Sequence, residues 1–187
     1  MRGRDCLLIA VLSASALACG RPAPVESPYT ISVPYDLDSL DPAARNRLSD
    51  FSLLSNFYEP LVVTDANLSA RPALATRWNN PDVETWVFEL RRGVRFHDGR
   101  PLRAADVVWS FERLSVGGEA LEMSGHVAQI RRVRAVDEDT VEVVTAGPVG
   151  ILLNKLRFVL IVPEGEDIAS LSGRVVGTGP YRLAGWE

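Results

Sequence analysis

An α/β fold follows from three features of the 187-residue chain. The first is a change of period between Thr85 and Leu114. Trp86, Phe88 and Leu90 alternate with Thr85, Val87 and Glu89, the pattern of a half-buried strand. From Ala104 onward Val107, Val108, Phe111 and Leu114 share one helical face. Asp98-Gly99 supplies a turn between them, since glycine takes positive φ at no steric cost. Asp106 stands in the first helical turn, where a carboxylate meets the positive end of the helix dipole. The second feature lies between Val127 and Val144. Val133 and Ala135 alternate with Arg132 and Arg134, and Val141 and Val143 with Glu142, on either side of Asp137-Glu138-Asp139. That is a β-hairpin whose Arg and Glu rows can pair across strands. The third is Tyr29–Val33, an alternating run of β-formers that reads as the first strand.

The chain opens with a targeting segment. Arg2 and Arg4 precede an apolar run from Cys6 to Ala18, shorter than the ~20 residues a spanning helix needs. Residues 1–18 read as a signal peptide. Ala16-Leu17-Ala18-Cys19-Gly20 resembles a bacterial lipobox, which makes Cys19 the candidate for lipidation; the alternative is an ordinary cleaved signal with an incidental cysteine. Residues 19–28, with Pro22, Pro24 and Pro28, read as an extended tether. Cys6 and Cys19 are the two cysteines of the chain, so nothing after residue 19 can form a disulfide.

Pro42 disfavours helix at Asp41, so Ser39-Leu40-Asp41-Pro42 is a turn. Asp50–Tyr58 reads as a helix with Phe51, Leu54, Phe57 and Tyr58 on one face, ending at Pro60 before a short strand. Asp65-Ala66-Asn67-Leu68 is a turn. Trp78 and Trp86 read as hairpin or core packing rather than as ligand-stacking rings. Gly117–Gly125 carries little pattern. Val149–Leu156 reads as a short helix, Phe158–Val162 as a buried strand, and Gly177-Thr178-Gly179-Pro180 as a tight turn before a last strand.

Several function classes are disfavoured at this level. A formal net charge of -4 argues against a nucleic-acid face, which is clustered and basic. There are two histidines, His97 and His126, and no metal-ligand spacing. No nucleophile–base–orienter set can be assembled, and no Lys follows Gly177-Thr178-Gly179 at P-loop spacing. His97, Asp98 and Glu59 therefore read as structural, with His97 donating to a backbone carbonyl or to Asp98. The chain is expected to be no enzyme and to need no cofactor and no metal.

The order of residues says more than their periodicity. Trp86-x-Phe88-x-Leu90-Arg91-x-Gly93-Val94-x-Phe96-His97-Asp98-Gly99-x-Pro101, then Ala104-x-Asp106-Val107 and Ser110, resembles the family 5 extracellular solute-binding proteins. These are the peptide-, dipeptide- and nickel-type binding lipoproteins of bacterial ABC importers. Asn56-Phe57-Tyr58-Glu59-Pro60-Leu61-Val62, the Pro72-x-Leu74-Ala75-x-x-Trp78 segment, Ser39-Leu40-Asp41-Pro42 and Gly177-Thr178-Gly179-Pro180-Tyr181 resemble further landmarks of that family. One departure is Arg103, where the family has a capping Thr; loss of such a cap costs about 1 kcal/mol, and Asp106 is expected to compensate in part.

The resemblance implies a periplasmic-binding-protein-like lobe I. Its base is residues 29–48 plus 174–187, its inserted α+β subdomain is 49–173, and the second lobe lies beyond this sequence, so the chain reads as an N-terminal fragment. It implies a peptide or similar small polar solute as ligand, ABC permease subunits as partners, a lipid anchor at the extracytoplasmic face, a monomer, and no nucleic acid. Residues after the Ser-Leu-Asp-Pro turn approach the ligand cleft in that family, which makes Tyr35, Asp36, Arg45, Asn46 and Asp50 the candidate solute-binding residues. The alternative reading is a lipid-anchored sensory or interaction module no longer active in transport.

Overall fold

The computed structural model describes residues 35–116, 121–166 and 174–185. The signal segment, Cys19, the tether and the strand expected at Tyr29–Val33 lie outside the described residues. In chain order the elements are α1 (Leu48–Leu54), β1 (Val62–Thr64), β2 (Ala70–Pro72), β3 (Ala75–Asn79), β4 (Thr85–Leu90), α2 (Ala104–Val116), a 3₁₀ turn (Glu122–His126), β5 (Ile130–Ala135), β6 (Thr140–Thr145) and α3 (Leu152–Leu156). β1 and β2 form an antiparallel pair, and the other four strands form a sheet in the order β3-β4-β6-β5. All its pairings are antiparallel.

The expected alternation decides which face of the sheet is covered. Phe88 stands opposite Val141 and Trp86 opposite Val143. Phe88, Leu90, Val141 and Val143 are buried in one core with Val107, Phe111 and Leu114 of α2. Trp78 and Trp86 pack on its rim, with the Trp78 ring 6.5 Å from that of Phe88. The opposite face carries the charges, with Arg77 2.6 Å from Glu89 and Arg134 2.6 Å from Glu142. Exposed pairs of this kind contribute little; the buried apolar face holds the sheet.

The start of α2 explains how the chain tolerates Arg103. The Arg103 backbone N–H donates to one carboxylate oxygen of Asp106 at 2.7 Å, and the Glu164 N–H donates to the other at 2.8 Å. This is the carboxylate half of a capping box. Asp106 is buried, and burial raises its carboxyl above the usual aspartate value despite those two donors.

Three elements differ from expectation. The first helix stops at Leu54, short of Tyr58. The Asn56 side-chain amide takes the carbonyls of Ser52 and Leu53 at 3.0 Å, closing the helix. Residues 159–162 are buried and Phe158 half-buried, but the segment is no strand; its single bridge joins Leu160 to Pro60. Ser110 Oγ accepts the Val162 N–H at 3.0 Å, tying the segment to α2. Residues 174–185 form no strand either. Their N–H groups go to the end of α1: Gly179 to the Phe57 carbonyl at 2.8 Å and Tyr181 to the Asn56 carbonyl at 3.1 Å.

That docking gives the two glycines their reason. A Cβ on Gly177 would lie 2.0 Å from the Phe57 carbonyl oxygen, and one on Gly179 2.6 Å from that of Asn56. Close backbone approach, more than turn geometry, requires glycine there. A second core joins Leu37, Leu40, Leu54, Tyr58, Leu160, Val162 and Val175, and it fixes the segment that carries the candidate site.

Candidate functional site

The segment from Tyr35 to Asp50 is held from beneath by Asp41. Its backbone N–H donates to Ser39 Oγ, and its Oδ1 accepts from the Ala43 N–H at 2.9 Å, which tightens the Ser-Leu-Asp-Pro turn. Its Oδ2 lies 2.5 Å from an Arg113 nitrogen of α2, and both side chains are buried. Tyr58 donates to the Leu40 carbonyl at 3.2 Å beside this pair. Burial pushes the Tyr58 hydroxyl far above its usual value, with the nearby Asp41 charge adding to the effect. The turn is thus clamped between Tyr58, just past α1, and Arg113 of α2.

Above the clamp lies an exposed polar face. Arg45 reaches Asp38 and Glu122, both at 3.2 Å. Arg47 reaches Asp38 at 2.9 Å and Asp50 at 2.8 Å. The Asn46 N–H donates to Glu122 at 3.0 Å, and its Oδ1 lies 3.4 Å from His126 Nε2. The Arg47 hydrogen bond holds Asp38 below the usual carboxylate value, and the Asn46 N–H does the same for Glu122. Burial and the neighbouring Lys155 lower His126. Paired arginines and carboxylates at a surface can exchange their partners for polar groups of a ligand, because such bonds are already shared with water; Asp50 is the exception, its side chain only 2% exposed beneath Arg47.

Of the expected residues, Arg45, Asn46 and Asp50 converge here. Tyr35 is close by, its hydroxyl donating to the Ser49 carbonyl at 3.4 Å. Asp36 is exposed and stands apart from the network. Asp38, Arg47, Glu122 and His126 join the face without having been singled out. Glu122 and His126 come from, or directly follow, the least patterned stretch, and no local signal marks contacts made across 76 to 80 positions of chain.

The residues that invited an enzymatic reading have structural partners. His97 Nε2 lies 2.9 Å from the Gly179 carbonyl and its Nδ1 3.4 Å from the Gly177 nitrogen, so the ring carries its proton on Nε2 and fastens the glycine segment. Asp98 is bonded to Arg100 at 2.7 Å, and Glu59 is paired with Arg91 at 3.1 Å. Among the described residues no group of His, Cys, Asp and Glu side chains is placed to hold a metal ion, and no helix is long and apolar enough to cross a membrane.

Comparison with known proteins agrees with this architecture. The family model of bacterial extracellular solute-binding proteins, family 5 (middle), matches residues 69–187. The periplasmic oligopeptide-binding protein OppA of Salmonella typhimurium is 26% identical over 175 residues, 81% of this chain and 32% of that protein. The glutathione-binding protein GsiB of Pectobacterium atrosepticum is 30% identical over 166 residues, 84% of this chain and 32% of that protein. The solved structure of the binding protein MoaA of A. tumefaciens R10 with mannopinic acid superposes with a TM-score of 0.71 at 31% identity, over 79% of this chain and 32% of that one. The chain therefore spans about a third of the length of these relatives.

Proposed function

Because this chain belongs to the bacterial extracellular solute-binding proteins of family 5, we propose that it supplies lobe I of the solute-binding component of an ABC importer. Residues 29–48 with 174–187 are the base of that lobe, and 49–173 are its inserted subdomain. The solute is a peptide or a peptide-like small polar molecule such as glutathione, the classes named for OppA and GsiB. Tyr35, Asp36, Arg45, Asn46 and Asp50 meet the solute on the lobe I side of the cleft. The mechanism is capture and release to permease subunits, with hinge closure and no bond broken. Cys19 carries a lipid that holds a monomer at the extracytoplasmic face.

The observation that carries this reading is the family match over residues 69–187 together with the clamped turn beneath Arg45 and Asn46. A half-cleft cannot bury the ~70–90% of a solute that enclosed sites bury, so this chain alone binds more weakly than micromolar. Calorimetry tests both statements, with di- and oligopeptides, glutathione, nickel chelates and sugars titrated into this chain and into the product of the whole reading frame. Tight binding by the latter alone supports the proposal. Steady hydrolysis of any of these solutes without tight binding would sink it.

A further inference from the structure

We infer that a second site, separate from the Asp38–Glu122 face, takes a small amphipathic carboxylate on Arg157. A cleft of about 620 Å³ opens between the end of α1, β1 and the residue after α3. That volume is within the range of small-molecule sites. Phe51, Tyr58, Pro60, Val63 and Pro180 give it apolar walls.

The charges in the cleft decide what it prefers. Glu59 and Asp65 line it, but each already has its own arginine: Arg91 lies 3.1 Å from Glu59, and Arg71 2.6 Å from Asp65. Arg157 also lines the cleft and is half-buried. Its partners are neutral: Thr64 Oγ1 at 2.5 Å, and the Phe158 ring 4.4 Å beneath the guanidinium carbon. Among the described residues lining the cleft, Arg157 is the one charge left without a counter-charge. Stacking on Phe158 and the bond to Thr64 hold the guanidinium in one orientation, which leaves its remaining N–H donors for a planar, bidentate acceptor. An apolar wall beside a fixed cation fits a molecule with a hydrophobic body and a carboxylate end.

The site does not depend on the transport reading, and its failure would leave that reading standing. The probe is phenylacetate, with phenylacetamide as its uncharged counterpart, titrated into the 187-residue chain and followed by amide chemical shifts. A ligand of about ten heavy atoms should bind with Kd on the order of 1 mM. Shifts should centre on Ser55, Thr64 and Arg157, and the amide should bind about tenfold more weakly. R157Q should remove the preference for the carboxylate while the melting temperature stays unchanged, and R157K should keep part of it. Equal binding of acid and amide, no saturable binding, or shifts centred on Arg45 and Glu122 would overturn the proposal. The wild-type shift map and R157K decide the matter even where R157Q fails to fold.

Discussion

Asp41, paired with Arg113 of α2, and the Asp38–Arg45–Arg47 cluster lie on one short segment, yet their environments are opposite. The side chains of Asp41 and Arg113 are 0% and 7% exposed, whereas that of Asp38 is 47% exposed. Removing one partner of a buried pair strands a charge in a medium that cannot solvate it, which costs about 3–5 kcal/mol. Removing one partner at the surface lets water take its place. The same ion-pair chemistry therefore serves as a fixed joint below and as an exchangeable face above. The proposed solute-binding role would use both, because the face can change partners only if the turn beneath it stays still.

The sharpest way to break this comparison is Asp41→Ala. It should lower unfolding free energy by about 3–5 kcal/mol in urea titrations, whereas Asp38→Ala should cause a much smaller loss. Equal losses would mean that both clusters are structural. Next in size is Gly177→Ala, which extends the fixed joint to the end of α1. With its Cβ 2.0 Å from the Phe57 carbonyl oxygen, it should destabilise by about 2–3 kcal/mol, as overpacking does. Gly147, where a Cβ meets nothing within 4 Å, provides the control, and its alanine variant should stay within about 0.5 kcal/mol of the parent. If both variants behave alike, the close approach is not what requires glycine.

The smallest effect belongs to the exposed face. Glu122 in the folded chain titrates below its usual value of 4.5, chiefly because the Asn46 N–H bonds its carboxylate. A depressed carboxyl favours folding above the unfolded value, and that contribution is lost as pH falls through the folded one. The Asn46 amide resonance should therefore move between neutral pH and a pH below 4.5 while the Asp41 turn stays unchanged. Glu122→Gln should abolish that movement and lower the melting temperature only slightly, as loss of an exposed pair does. Concerted movement of both segments would show one coupled unit.

The strand from Thr85, the helix from Ala104 and the hairpin around Asp137-Glu138-Asp139 were readable locally, because alternation and helical spacing record which side of an element avoids water. The ordered string from Trp86 to Ser110 likewise carried the family. The candidate face was only partly readable: Arg45, Asn46 and Asp50 lay near a recognisable turn, but nothing near Glu122 or His126 announced contact with them. Some matters are properties of distance rather than of order. They include the burial of Asp41 against Arg113, the capture of Gly177 and Gly179 by His97 and the end of α1, the loss of strand character at Phe158–Val162, and the lack of an ion-pair partner for Arg157 among the described residues. Local composition states what a residue can bond to. Which of those bonds forms depends on groups brought together by burying apolar surface elsewhere in the chain.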